Sequence, residues 1–428
     1  MTLQIIHNGI VHRHEDGTTT ILRPGKNGGP GTEIEVPQEL ADSYRLATGE
    51  VVEGTTEPLE AHSDVEGDDT PAMAEPIDEA SSHNEAGPEG PASRYVPTER
   101  LTEIARINGL SVEEAEERPF PRTRRSHSER TPPDRWLSLA TGPDDVTGRM
   151  LDFAAPLGNG CMGVIYGPHG SGLTRTLRSV GKGIAVNAPD CVLLILLLRA
   201  RSEEVTDWRR RFPQADVVVC PSVINTGTPE QTLRLTDLVL EAAQRQTEMG
   251  KDVVLLVDSL TGLWGAMLEV EEADAQRQAD QSQARQRLRE WVQKAGCFHG
   301  ETPLGGSLGG SLTLVGTLWH QAIDEEAEEE GEVHPHLRLL EHLILESSWR
   351  IPLSNALAER RLYPAIDVKQ CLSQYEETLL PSQTREPLWA ARAALPRHEL
   401  LVCYQRLMNA LDTSSDLDSL LQRLEDMA

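Results

Sequence analysis

Five short apolar runs punctuate the chain between residues 164 and 318: Val164–Tyr166, Cys191–Leu198, Val217–Val219, Val253–Val257 and Leu312–Leu318. Continuous runs of this length mark strands buried on both faces, the situation of a parallel sheet covered by helices. Between them lie helix-length polar segments such as Thr228–Met249. Parallel neighbours need a crossover connection, so the alternation restricts this region to βαβ units and a doubly wound α/β sheet. Such sheets bind ligands at the carboxyl ends of their strands.

At that end of the first run stand Gly167, Pro168, His169, Gly170, Ser171, Gly172, Leu173 and Thr174, followed by a helix-like segment. The pattern G-x-x-x-x-G-K-[ST] cradles phosphates on backbone N–H groups, reaches the β and γ oxygens with a lysine and binds Mg²⁺ through a hydroxyl. Here Leu173 occupies the lysine position. Asp252–Ser259 is an apolar strand that ends in Asp258, a carboxylate placed to hold the Mg²⁺ shell together with Thr174. Gly167–Thr174 are therefore the nucleotide-binding candidates, and Thr174 with Asp258 the metal candidates.

A chain of 428 residues exceeds one typical domain, and no run of about 18 apolar residues would cross a membrane. A soluble, cytoplasmic protein is expected. The six cysteines are scattered without a C-x-x-C pair, which argues against zinc sites and disulfide frameworks. A net charge of -28 repels nucleic acid unless cations are concentrated on one surface, and 4% aromatic residues leave few rings for stacking bases.

Residues 1–60 read as short strands around Gln38–Ala47, a helix, and predict a small all-β barrel or open sheet. Residues 61–92 carry acids, Pro, Gly and Ser without Lys or Arg, the composition of a disordered acidic linker. Residues 93–142 read as a helical and Arg-rich connector: Leu101, Ile104, Ala105 and Ile107 recur near helical spacing in Pro97–Ala115, Ser111 offers an N-cap, and Arg118–Arg135 clusters arginines among prolines. That basic run suits either a phosphate contact or a solvated connector. Residues 143–428 form the α/β unit.

The order of motifs resembles the bacterial transcription termination factor Rho family, hexameric RNA-dependent ATPases of the RecA-like class. Asp144–Gly158, Asn187–Leu193, Glu203–Thr206, Asp252–Thr261, Gly310–Thr313 and Ala358–Asp367 carry the resemblance, with Ile107–Leu110 upstream and Ile34–Gly54 similar to the back half of the family's cold-shock-like domain. The resemblance implies a RecA-like P-loop NTPase domain with a parallel sheet behind an OB/cold-shock-like domain. It also implies ATP and Mg²⁺, RNA, and a homo-hexamer or a mixed ring with Rho.

The chain departs from the family where the chemistry lies. Gly170 and Leu173 replace the two phosphate-loop lysines, and Ala200 stands at the catalytic glutamate. Asn355 and Gln374 align with the arginines that reach a neighbouring subunit's nucleotide, while Arg361 survives. Glu269–Gln283 and Ile344–Ser348 replace the RNA loops of the central channel, and Gly17–Leu22 replaces the aromatic stacking strand. The expected function is a non-hydrolysing regulatory or scaffold pseudo-ATPase with weakened RNA contact. The alternatives are an active RNA-dependent ATPase and helicase, or an acidic protein that binds a basic partner such as Rho; RNA polymerase or another transcription protein is a further candidate partner.

Three other features read as structural. The histidines His320, His334, His336 and His342 fit no tetrahedral ligand spacing. Leu304–Ser311 reads as a Gly-rich hairpin turn, with phosphate contact the alternative, and Trp208–Arg211 as a basic helix face that suits an interface or a solvated surface equally.

Overall fold

The computed structural model describes residues 4–24, 31–59, 97–118, 130–220, 228–273, 281–301, 307–319, 335–395 and 399–426. The first sheet contains β1 (Gln4–Arg13), β2 (Thr19–Arg23), β3 (Thr32–Glu35), β4 (Val51–Pro58), β5 (Glu99–Ile107) and β6 (Leu110–Ser111), in the order β3-β2-β1-β4-β5-β6. A further parallel pairing of β3 with β5 closes it into a barrel. Its interior holds Val11, Ile21, Ile34, Val52, Leu101, Ile104 and Ile107.

Residues 99–107, expected as helix, are therefore strand. The cause is a pair of register shifts where β4 meets β5, one between Glu53 and Gly54 and one between Thr55 and Thr56. Each bulge gives β5 one extra residue, so the inward positions reset from every second to every third residue. Leu101, Ile104 and Ile107 all face the core, and their spacing imitates a helical stripe. The barrel thus takes a strand from beyond the acidic stretch, whose residues 60–96 lie outside the described set. The expected N-cap is present: Ser111 accepts from the Glu114 amide, and Glu114 reaches back to the Ser111 amide.

The second sheet adds β7 (Arg130–Thr131), β8 (Met162–Gly167), β9 (Val192–Leu197), β10 (Asp216–Val219), β11 (Asp252–Asp258), β12 (Gly296–Glu301), β13 (Ser307–Trp319), β14 (Trp349–Pro352) and β15 (Leu372–Ser373). Its order is β10-β9-β11-β13-β8-β14-β15, parallel from β10 through β14. All five apolar runs are strands of this sheet. Alternate side chains divide between two cores: Leu193, Ile195 and Leu197 of β9 join one, Leu194 and Leu196 the other. Helix Leu173–Asn187 and the C-terminal helices cover the first face, and helices Pro229–Glu248 and Leu260–Ala273 the second. No helix among the described residues is long and apolar enough to cross a membrane.

The barrel docks on helix Pro229–Glu248. Ile10 and Leu22 point away from the barrel interior and join the core that this helix covers. Beside them Arg234 donates to the Glu33 carboxylate and, over 2.8 Å, to His12 Nδ1. Burial, then Arg234 and His14, push the His12 imidazole down to about 4, so its ring is neutral near pH 7 and accepts that bond.

The arginines of the expected connector are structural wherever they are described. Arg118 is buried, donates to Glu50 Oε1 at 2.5 Å and Oε2 at 3.1 Å, and also bonds the carbonyls of Tyr44, Arg45 and Ala115. Arg135 bridges Asp190 and Asp252, and Arg130 lies over the Phe298 ring. Removing one partner of a buried pair leaves the other charge uncompensated, at a cost of about 3–5 kcal/mol. Arg118→Ala should destabilise the barrel by about that amount in chemical denaturation, and Arg118→Lys should not rescue it, because one ammonium cannot span these acceptors.

Candidate functional site

β8 delivers the chain to the loop, and the helix after it begins at Leu173. Two residues take left-handed backbone, Gly170 at φ +82° and Gly172 at φ +99°, which side chains disfavour. A side chain at Gly167 would meet the Leu353 carbonyl at 2.7 Å, so glycine there lets β8 pass close to the end of β14. Ser171 turns inward, where its hydroxyl donates to the Pro168 carbonyl at 2.7 Å. His169 and Gly170 are exposed.

The N-cap of the helix is Gly172, and no side chain caps it. First-turn amides without intrahelical partners, at the positive end of a helix of 15 residues, form an anion site. Backbone geometry for a phosphate is therefore present.

The metal candidates also come together. The Asp258 carboxylate accepts from the Thr317 hydroxyl at 2.6 Å, and the Thr174 hydroxyl lies close enough to act on the same carboxyl. Burial pushes this carboxyl up, the two threonine hydroxyls draw it down, and the Glu204 carboxylate adds a smaller upward push. Hydroxyl and carboxylate in one contact are the donor set that suits a hard cation such as Mg²⁺. Thr174 and Asp258 fit that ion.

The catalytic positions do not. Leu173 is half-buried and packs against the core under the first sheet face, beside Leu177 and Val180 of its own helix. Ala200 packs against the same core. Its neighbour Arg199 takes left-handed backbone at φ +56° and pairs with Glu269. Glu204 lies close enough to act on Asp258, yet its carboxylate accepts from the Arg201 amide at 3.2 Å as part of a helix cap. The nearby cations are also engaged: Arg178 pairs with Asp207 at 3.1 Å and lies over Trp208, and Arg175 lies over the Tyr363 ring.

Tyr363 and Thr317 were not legible as site residues. Tyr363 donates its hydroxyl to the Gly170 carbonyl at 3.2 Å, and its ring sits 3.6 Å from where a Gly172 side chain would be. Only its place inside Ala358–Asp367 hinted at it. Thr317 carries no signal outside the strand.

Residues 148–373, more than half of the chain, match the nucleotide-binding domain of the ATP synthase alpha/beta family. Over 308 residues the chain is 32% identical to transcription termination factor Rho of Streptosporangium roseum, an alignment that covers 71% of this chain and 72% of that one. The chain belongs to the Rho family. It is also 31% identical to Bacillus subtilis Rho over 69% of its own length and 64% of that protein's, and 30% identical to Micrococcus luteus Rho over 69% and 38%. Against the latter two Rho proteins the chain spans less than two thirds of the relative's length. Solved structures agree on the fold: a prototypical ATPase from a type III secretion system, at 17% identity and TM-score 0.51, covers 69% of this chain and 86% of its own. The ATP synthase subunit NeqB from Nanoarcheaum equitans, at 14% and 0.50, covers 70% and 76%.

The other positions expected to depart from the family are placed as follows. Asn355 is exposed at a helix start, bonded to Glu359 at 2.8 Å, and Gln374 is exposed after β15. Ile344–Ser348 forms no projecting loop: helix Pro335–Glu346 runs into β14, and Ser347 and Ser348 are buried, the latter bonded to the Met162 amide at 3.1 Å. Of Glu269–Gln283, residues 274–280 lie outside the described set, as do residues 304–306 of the Gly-rich turn and His320 and His334. Thr19–Leu22 of β2, aligned with the stacking strand, are all buried, and Leu22 lies in the seam with the α/β domain.

A phosphate-contacting side chain contributes little to folding, whereas a packed one does. Leu173→Ala should lower stability by about 1–2 kcal/mol in denaturant titration, less than the range for fully buried leucines because the side chain is only half-buried.

Proposed function

We propose that this Rho-like chain is a non-hydrolysing member of its family, a regulatory or scaffold subunit in place of a motor. The observation that carries the reading is the packing of Leu173 and Ala200 into one apolar core, at the positions where the family resemblance puts a phosphate lysine and a water-polarising carboxylate. One well-placed catalytic group is typically worth about 10²–10³ in rate, and groups of one catalytic unit do not act additively. Without both, binding and cleavage separate. The uncapped helix start and the Thr174–Asp258 contact support retained, weak binding of Mg²⁺ and a nucleotide.

When bound, ATP and Mg²⁺ would supply only charge and shape here. Thr174 and Asp258 would hold the ion, and the Gly167–Thr174 backbone would hold the phosphates. The partner follows from the family: a homo-hexamer or a mixed ring with Rho, with RNA contact weakened because β2 carries no aromatic side chain and its Leu22 packs against the α/β domain. The acidic stretch 61–92 and the charge of -28 favour a basic protein surface over nucleic acid.

Equilibrium titration of labelled ATP, paired with native mass measurement, tests both parts. A lysine at position 173 adds a charge-assisted bond worth about 1.5–3 kcal/mol, roughly tenfold or more in affinity. Leu173→Lys should tighten Mg²⁺–ATP binding accordingly and leave turnover at background, since Ala200 is unchanged. Unaltered affinity, or turnover gained from this one change, contradicts the reading.

A further inference from the structure

We propose that the seam between the barrel and the α/β domain contains a divalent transition-metal site, of the zinc type, formed by His12, His14 and Glu33, in which the metal competes with Arg234. His12 lies near the end of β1 and His14 follows just beyond it, and the two rings come together on the barrel wall. Glu33 on β3 faces the same point. One ligand atom from each of the three residues lies within 4.8 Å of the others, with His14 Nε2 4.0 Å from Glu33 Oε1. The two imidazole rings lie 4.2 Å apart. Two imidazoles and a carboxylate are the donor set of open zinc sites, which leave a fourth position for water.

The other groups at this point are Thr20 and Arg234. The Thr20 hydroxyl bonds Glu33 Oε1 at 3.1 Å and lies 2.9 Å from His14 Nε2. Such outer contacts orient ligands in metal sites. Arg234, from helix Pro229–Glu248, enters from the other domain and bridges His12 Nδ1 and Glu33 with one guanidinium nitrogen. A monocation thus already sits between two of the three donors. A metal with bonds of about 2.0–2.2 Å holds its ligand atoms roughly 3.3–3.6 Å apart, so the three donors close inward slightly once the guanidinium withdraws.

Access is open. A cavity of about 760 Å³ borders the cluster, lined in part by His14, Glu33, Glu15, Asp16 and Glu35. Its carboxylates raise the local concentration of cations over anions. Ile10 and Leu22 keep the barrel on the α/β domain when Arg234 leaves, so the metal replaces one polar contact without separating the domains.

Isothermal titration of the full-length chain with ZnCl₂, at pH 7 in a non-chelating buffer, tests the assignment. The wild-type chain should take up one equivalent through this site. His14→Ala and Glu33→Gln should each weaken that uptake at least tenfold, and Arg234→Ala should tighten it at least tenfold by removing the competing cation. His14→Gln, which keeps the bulk of the side chain, should also weaken it, and circular dichroism confirms that each variant is folded. The assignment is overturned if neither wild type nor Arg234→Ala takes up zinc, if uptake is unchanged in His14→Ala and His14→Gln, or if Arg234→Ala binds no more tightly than wild type.

Discussion

A parallel sheet must be covered on both faces, since each strand presents apolar side chains to both sides and no strand can reach its neighbour without crossing over the sheet. In this chain the requirement sets the positions of the other parts. The crossover helices place the loop after β8 and the end of β11 at the same edge, which brings Thr174 to Asp258. The same covering helices provide the second docking face, on which the barrel rests through Ile10, Leu22 and Arg234.

Seen from that constraint, what the chain retains and what it has lost divide along physical lines. Gly167, Gly170 and Gly172 are needed for the turn itself, by close approach to Leu353 or by left-handed backbone, and would be kept whether or not a phosphate ever arrived. Asp258 is held by the Thr317 hydroxyl and lies beside Thr174. Leucine at 173 improves packing where a lysine would have held a charge against a hydrophobic core. Folding alone therefore accounts for the residues that persist, while those whose main use is charge at a reacting phosphate are absent. On the proposed reading, pseudo-motor and motor share one architecture because the catalytic groups contribute little to holding it together.

Legibility followed the same division. Strands of the central sheet were readable because burial on both faces leaves unbroken apolar runs, and the turn at Gly167–Thr174 because its glycines are dictated by backbone geometry. β5 was misread because its bulges space Leu101, Ile104 and Ile107 as a helix would. The edge strands β7 and β15, of two residues each, are too short to carry a pattern. Tyr363 over the loop, Thr317 behind Asp258 and the His12–His14–Glu33–Arg234 cluster depend on chain segments far apart in sequence meeting in space. No local spacing announces them.

The central claim is that Leu173 and Ala200 leave the loop without cleavage chemistry. The most direct measurement is phosphate release from ATP by the purified full-length chain, with and without single-stranded RNA, beside an active-site variant that lacks Asp258. The account predicts release indistinguishable between the wild-type chain and Asp258→Ala, and no stimulation by RNA. Release that rises with RNA and falls in Asp258→Ala would contradict it.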